Sequence, residues 1–335
     1  MSNIYNIAEL TGYSPSTVAR ALTGKGYVGR KTKAKILKTA ESLDYRPNHA
    51  ARSLRSQKTF QVLICIPDLY NPFYFNLIKG ASDVLDKQGY HIILCHSKRN
   101  LKEELKIINM LKERYGDGIV FLSFDFNETN VQALMDTNMP TVAICPSSFK
   151  CNFDCVHMNI TKAMHLATSY LIEMGHRDIG VIIGDVNKLT SKERFDGYSR
   201  AMKEHGLTVS ENRIVVSDFT REFTKEAMHN HITAHGGTNM TAIVAANTLM
   251  GIGCMDACAE NHIPIPQALS IISLDDIDMA TCTNPRLSVI DMRQEEIGRK
   301  AAILLLEQIE GRAGQQKTVT IEPKLVFRES VRRDT

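Results

Sequence analysis

At 335 residues, 43% of them hydrophobic, the chain is long enough for more than one domain and a sizeable core. No apolar run reaches the 18 residues of a membrane-spanning helix, and the first residues, MSNIYNIAEL, hold no basic segment followed by an apolar leader. A cytoplasmic protein without membrane contact is therefore expected, its eight cysteines reduced thiols. The formal charge of +3 conceals an asymmetry: residues 1–59 hold 11 Lys and Arg against 3 Asp and Glu, and the rest of the chain holds 29 against 34. A small basic head on a mildly acidic body is the footprint of a nucleic-acid-binding module joined to something else.

In chain order, Ile4, Ile7 and Ala8 fall on one face of a first helix, with Asn3 placed to cap it and Gly12 suited to a left-handed stop. In YSPSTVARAL, Ser14 can cap a second helix whose first residue is Pro15, because proline's fixed φ suits that position and its missing N–H would be unpaired there anyway. Two helices joined by a tight Gly-containing turn predict a helix-turn-helix, whose second helix enters the DNA major groove. Ser, Thr and Arg at its start can meet phosphates and base edges, and no acid is present to repel the backbone. A third helix runs through RKTKAKILKTAESLDY, where Ala34, Ile36, Leu37, Ala40 and Leu43 recur with helical period. Pro47 ends it, and a short helix from Asn48 to Leu54 is expected in a basic linker.

From residue 60 the texture changes to short apolar runs, QVLICIPD, HIILCHS, DGIVFLSF and PTVAIC, then DIGVIIGD, RIVVSD, TAIVAAN and LSIISLDD, alternating with amphipathic helices. Such runs predict buried parallel strands in βα units, enough for two sheets, with a crossing between lobes at KCNFDCVHMNI. After RLSVI, the stretch QEEIGRKAAILLLEQIEG predicts a last helix and KTVTIEPKLVFRES a strand-like end.

Enzyme signatures are missing. There is no G-x-x-x-x-G-K-[ST] loop, GIGCMD lacks the third Gly of a dinucleotide fingerprint, and no Ser or Cys stands in a nucleophile's local context. No cofactor is expected. Cys151/Cys155 and Cys254/Cys258 are spaced i, i+4 without a matching second half, and His229, His231 and His235 read as a solvated helix face, so no metal site is expected.

The helix-turn-helix, YRPNHAARSL, PDLYNPFY, GHRDIGVIIG, ERFDGYSRAM, AANTLMGIG and SLDDIDMA follow one another in an order that resembles the lactose/galactose repressor (LacI/GalR) family over nearly the whole chain. The resemblance implies an all-α helix-turn-helix head (1–46), a hinge helix and linker (47–59), and an α/β core (60–335) of two doubly wound parallel-sheet subdomains like those of periplasmic sugar-binding proteins. From it the N-subdomain is drawn at about 60–158 and 289–317, the C-subdomain at about 159–288 and 318–330. It also implies a homodimer on a palindromic double-stranded operator, and a sequence-specific transcriptional regulator, a repressor, whose grip is set by a small effector between the subdomains. VRRDT carries no leucine heptad for tetramerisation.

Residue by residue, the resemblance places Pro15, Ser16 and Arg20 at base edges and Thr17 at the backbone, with Arg20 the strongest base reader and Ser14 counted in the same DNA-binding set. Pro15 has no donor, Ala19 stands where the family usually has Ser, and Gly29 replaces a capping Ser. In the hinge, Asn48, Ala51 and Leu54 match minor-groove positions, Leu54 as the apolar wedge. Asp68, Asn71, Phe73, Asn159, Arg194, Asn247 and Asp275 match effector-binding positions near strand ends, with Phe73, Tyr70 or Tyr74 as stacking platforms in a chain without Trp. Carboxylate, guanidinium and amide together suit a sugar or sugar derivative. Asn159 and Thr248 stand where Asp is common, which keeps an anionic effector and a nucleoside or purine open as alternatives, and the resemblance separately keeps open control by a partner phosphoprotein.

Overall fold

The computed structural model describes residues 3–24, 26–45, 58–150, 152–312 and 314–334. The expected hinge helix, with Asn48, Ala51 and Leu54, lies outside the described residues. The chain divides into two units, residues 1–59 and 60–335.

In the first unit, α1 (Ile4–Thr11), α2 (Pro15–Thr23) and α3 (Arg30–Ser42) close around Ile7, Val18, Ala21 and Ile36. The starts of α1 and α2 follow from their caps. Asn3 accepts from the backbone N–H groups of Tyr5 and Asn6, and Ser14 from that of Thr17 at 3.3 Å, ahead of Pro15. Gly12 ends α1 at φ 74°, as its sequence position predicts. Gly29 caps α3 with no side-chain bond.

Among the described residues, the second unit holds two six-stranded sheets. The first contains β1 (Gln61–Ile66), β2 (His91–His96), β3 (Ile119–Phe121), β4 (Thr141–Pro146), β5 (Asp154–Met158) and β11 (Thr318–Ile321), all parallel, in the order β11-β5-β4-β3-β1-β2. The second contains β6 (Ile179–Ile183), β7 (Ile214–Val216), β8 (Ala242–Ala245), β9 (Ser270–Leu274), β10 (Ser288–Asp291) and β12 (Lys324–Val326), in the order β12-β10-β9-β8-β6-β7 with only β12 antiparallel. Around the first sheet lie α4 (Phe73–Leu85), α5 (Leu101–Lys112), α6 (Glu128–Met135) and α11 (Gln294–Ile309). Around the second lie α7 (Ile160–Glu173), α8 (Leu189–Glu204), α9 (Arg221–His235) and α10 (Thr248–Glu260).

Two boundaries differ from expectation. β10 pairs with β9 and β12, so residues 289–291 belong to the C-subdomain, and β11 pairs with β5, so residues 318–321 belong to the N-subdomain. The physical reason is that an apolar run declares a strand but not its neighbour; which sheet it joins is decided by long-range pairing. The chain thus crosses between lobes near 159, 292–293 and 322–323.

Expectation also fails at one thiol. Cys155 is disulfide-bonded, while Cys65, Cys95, Cys145, Cys254, Cys258 and Cys282 are free. Adjacency along the chain does not reveal whether two sulfurs meet in bonding geometry.

Candidate functional site

On the head, Ser16 and Arg20 stand one helical turn apart on the exposed side of α2, while Val18 and Ala21 anchor its opposite side in the core. Ser14 is held in place by its own cap: its hydroxyl meets those of Ser16 and Thr17, each at 2.9 Å. Arg20 donates from Nε to the Ser16 carbonyl at 3.4 Å, a long bond that leaves the guanidinium available. The exposed side of α2 therefore carries hydroxyls and one cation, as a DNA-reading surface requires.

In the core, the C-terminal ends of the strands converge on a cleft of about 800 Å³ of empty space, including its open mouth. Asp68, Asn71, Phe73, Arg194, Asn247 and Asp275 all line it. Asn159 does not. It caps α7, accepting from the Lys162 backbone N–H at 3.2 Å and donating to Glu322 at 3.5 Å, away from the residues that line the cleft. Tyr70 is 87% exposed and likewise stands outside the cleft.

The lining residues are not equivalent. Asn247 is held by the fold: its Oδ1 accepts from Met250 N–H at 2.8 Å and one Nδ2 N–H donates to the Phe219 carbonyl at 3.1 Å, making it a buried clamp on the cleft wall. Thr248 is committed too, its hydroxyl donating toward the carbonyls of Leu274 and Asp275. Asn71 spends its oxygen on Phe73 N–H, and Asp68 forms an ion pair with Arg99 at 2.8 Å.

Asp275 is different. It is buried at φ 77°, within reach of the Arg194 charge. Burial pushes its pKa up to about 7, against the pull of the nearby Arg194 charge. Arg194 donates to the carbonyls of Ala246 and Thr190 and lies over the Phe219 ring, 5.1 Å from its centroid. Burial lowers the guanidinium's pKa, yet a group of this basicity stays charged. A buried acid and a cation thus share one cleft whose walls mix aromatic and polar side chains.

Sequence reasoning missed much of the wall. Arg99, Ser123, Phe124, Thr190, Phe219 and Met292 line the cleft, and Phe124 meets Phe219 edge-to-face at 5.9 Å. Tyr74 packs edge-to-face on Phe73 at 5.2 Å. Arg99, Phe219, Asp275 and Arg293 all have φ between 53° and 77°, backbone strain gathered around the cleft. Only the placement of Phe124 and Phe219 just after apolar runs signalled them in the sequence.

Comparisons agree with both halves of this description. The family described as bacterial regulatory proteins, lacI family, matches residues 3–48, and that of the periplasmic binding protein-like domain matches 168–331. The HTH-type transcriptional repressor PurR of Vibrio parahaemolyticus is 30% identical over 335 residues, and that of Pasteurella multocida 28% over 333, each alignment covering 99% of both chains. The lac repressor dimer bound to operator and the anti-inducer ONPF shares the fold with a TM-score of 0.87 at 18% identity, over 99% of each chain. The complex of the regulator CelR with cellobiose does so with a TM-score of 0.75 at 24% identity, over 98% of this chain and 100% of that one. Capped recognition helix, paired α/β lobes and full-length similarity converge: the chain belongs to the LacI family of bacterial regulatory proteins, DNA-binding regulators of transcription.

Proposed function

We propose that the protein is a repressor that binds a palindromic double-stranded operator as a homodimer through α2, its affinity set by a small effector in the cleft. The repressor reading follows its similarity to repressors over the full chain. Ser16 and Arg20 read base edges and Thr17 the backbone, with Ser14 holding the helix start beside them and Pro15 offering only apolar contact.

The observation that carries the effector reading is the pairing of Asp275 and Arg194 in a cleft with aromatic walls. A sugar or sugar derivative fits this pair, its vicinal hydroxyls donating to the carboxylate and accepting from the guanidinium, and its apolar face lying on Phe73 or Phe219. A second reading, a purine or nucleoside, is favoured by the four rings of Phe73, Tyr74, Phe124 and Phe219 and by the few uncommitted polar groups. A flat heterocycle needs stacking surface and one donor–acceptor pair, whereas a polyol needs many.

The test is thermal stability against sugars, sugar phosphates, nucleosides and purine bases, since a ligand of the native state raises the melting temperature by mass action. The expected result is a rise with one class, abolished in Arg194→Ala. No rise with any class would set the cleft reading aside in favour of a partner phosphoprotein.

A further inference from the structure

Behind the cleft, on the other face of the first sheet, Cys145 of β4 and Cys155 and His157 of β5 bring their ligand atoms within 4.8 Å of one another. The register explains the convergence: Cys145 is the cross-strand partner of His157 and Ala143 that of Cys155, so alternate residues of two parallel strands point to one side. The place is dry, with Cys145 and Cys155 at 0% and 1% exposure in the core that also holds Phe121 and Phe126, and Phe149 and Phe153 packed over it.

We propose that, once the Cys155 disulfide is reduced, Cys145 Sγ, Cys155 Sγ and the His157 imidazole bind a thiophilic divalent cation of the zinc type. Thiolate and imidazole are the ligands such an ion takes, and a pair of thiolates with a neutral imidazole brings a divalent ion to zero net charge, which suits a buried site. Nearby, Glu193 accepts from Ser148 N–H at 2.9 Å through Oε1, and its buried Oε2 has no hydrogen-bond partner among the described residues. Its charge reaches Cys145, and a cation held there would balance this carboxylate.

The steps balance. A dithiol reductant passes two electrons and two protons to the Cys155 disulfide, the S–S bond breaks, and the reductant closes to its own disulfide. Metal binding then releases the Cys145 and Cys155 thiol protons to solvent. Pro146 and Met158, each the next residue along its strand, line the cleft, so the site reports to the effector wall.

The experiment titrates Co²⁺ into the reduced, metal-free full-length protein, following the thiolate-to-cobalt charge-transfer absorption. A band at one ion per chain, displaced by Zn²⁺, weakened about tenfold or more in both Cys145→Ser and His157→Gln and retained in Cys282→Ser, is the expected result. Absence of the band in the reduced wild type, its presence with the disulfide intact, or its survival in His157→Gln would overturn the proposal. Should Cys145→Ser not fold, His157→Gln alone decides, because His157 is only half-buried.

Discussion

Asp275 concentrates the chemistry of the cleft in one side chain. Its folded-state pKa of about 7 lies above the ordinary carboxylate value of 3.8, so between those two pH values the native state binds more protons than the unfolded chain. Stability therefore falls as pH rises through that window, and the cost is complete above pH 7. Asp275→Asn keeps the shape and tolerates φ 77°, since Asn is among the residues found in left-handed backbone. The ligand-free variant is expected to melt higher than the wild type at pH 8, by an amount on the order of a few kcal/mol at most, and equally at pH 4. Calorimetry at the two pH values checks this, and a variant less stable at pH 8 would mean that the carboxylate is engaged rather than stranded. The same residue shows what a sequence can tell: Asp275 was legible because it closes an apolar run in a landmark motif. Asn159 sits in an equally suggestive context, yet its side chain turns to cap its own helix, a choice made by local backbone geometry.

Helices α4 and α11 pack against each other through glycines. A Cβ on Gly298 would lie 1.9 Å from the Leu77 carbonyl oxygen, and one on Gly80 1.9 Å from that of Glu295. Both obstacles are backbone, which cannot swing aside. Gly298→Ala must push the helices apart, an overpacking cost of about 1–3 kcal/mol or more. The melting temperature is expected to fall by several degrees while the far-ultraviolet spectrum of helix and strand is kept. An unchanged melting temperature would mean that the helices are not in close contact. At this scale the sequence was most readable, since Asn3, Ser14, Pro15 and Gly12 announce their helix ends chemically. The strands β10 and β11 were readable as strands but not as members of a sheet, because their pairing residues lie far away along the chain.

The two lobes of the core meet through side chains as well as through three chain crossings. Arg99 of the first lobe donates to the Asp218 carbonyl of the second at 2.8 Å, Phe124 meets Phe219, Ser148 N–H reaches Glu193, and Asp125 pairs with Lys188 at 2.7 Å. None of these was legible in advance, since each joins residues whose proximity exists only after both sheets have folded. If the proposed effector spans Asp275 and Arg194 on one side and Phe73 and Tyr74 on the other, its affinity is expected to depend on these interlobe contacts. Lys188 and Asp125 are each more than a third exposed, so their pair contributes only about 0.2–1 kcal/mol after solvent screening. Lys188→Ala and Asp125→Asn are each expected to weaken the ligand found by thermal shift about 1.5- to 5-fold, read by titration calorimetry in a protein that has no Trp to report fluorescence. The double variant should be no weaker than either single one, because a latch is lost once. Losses that add would show two independent side-chain effects, and closure would then rest on the Phe124–Phe219 contact and the Arg99 bond instead.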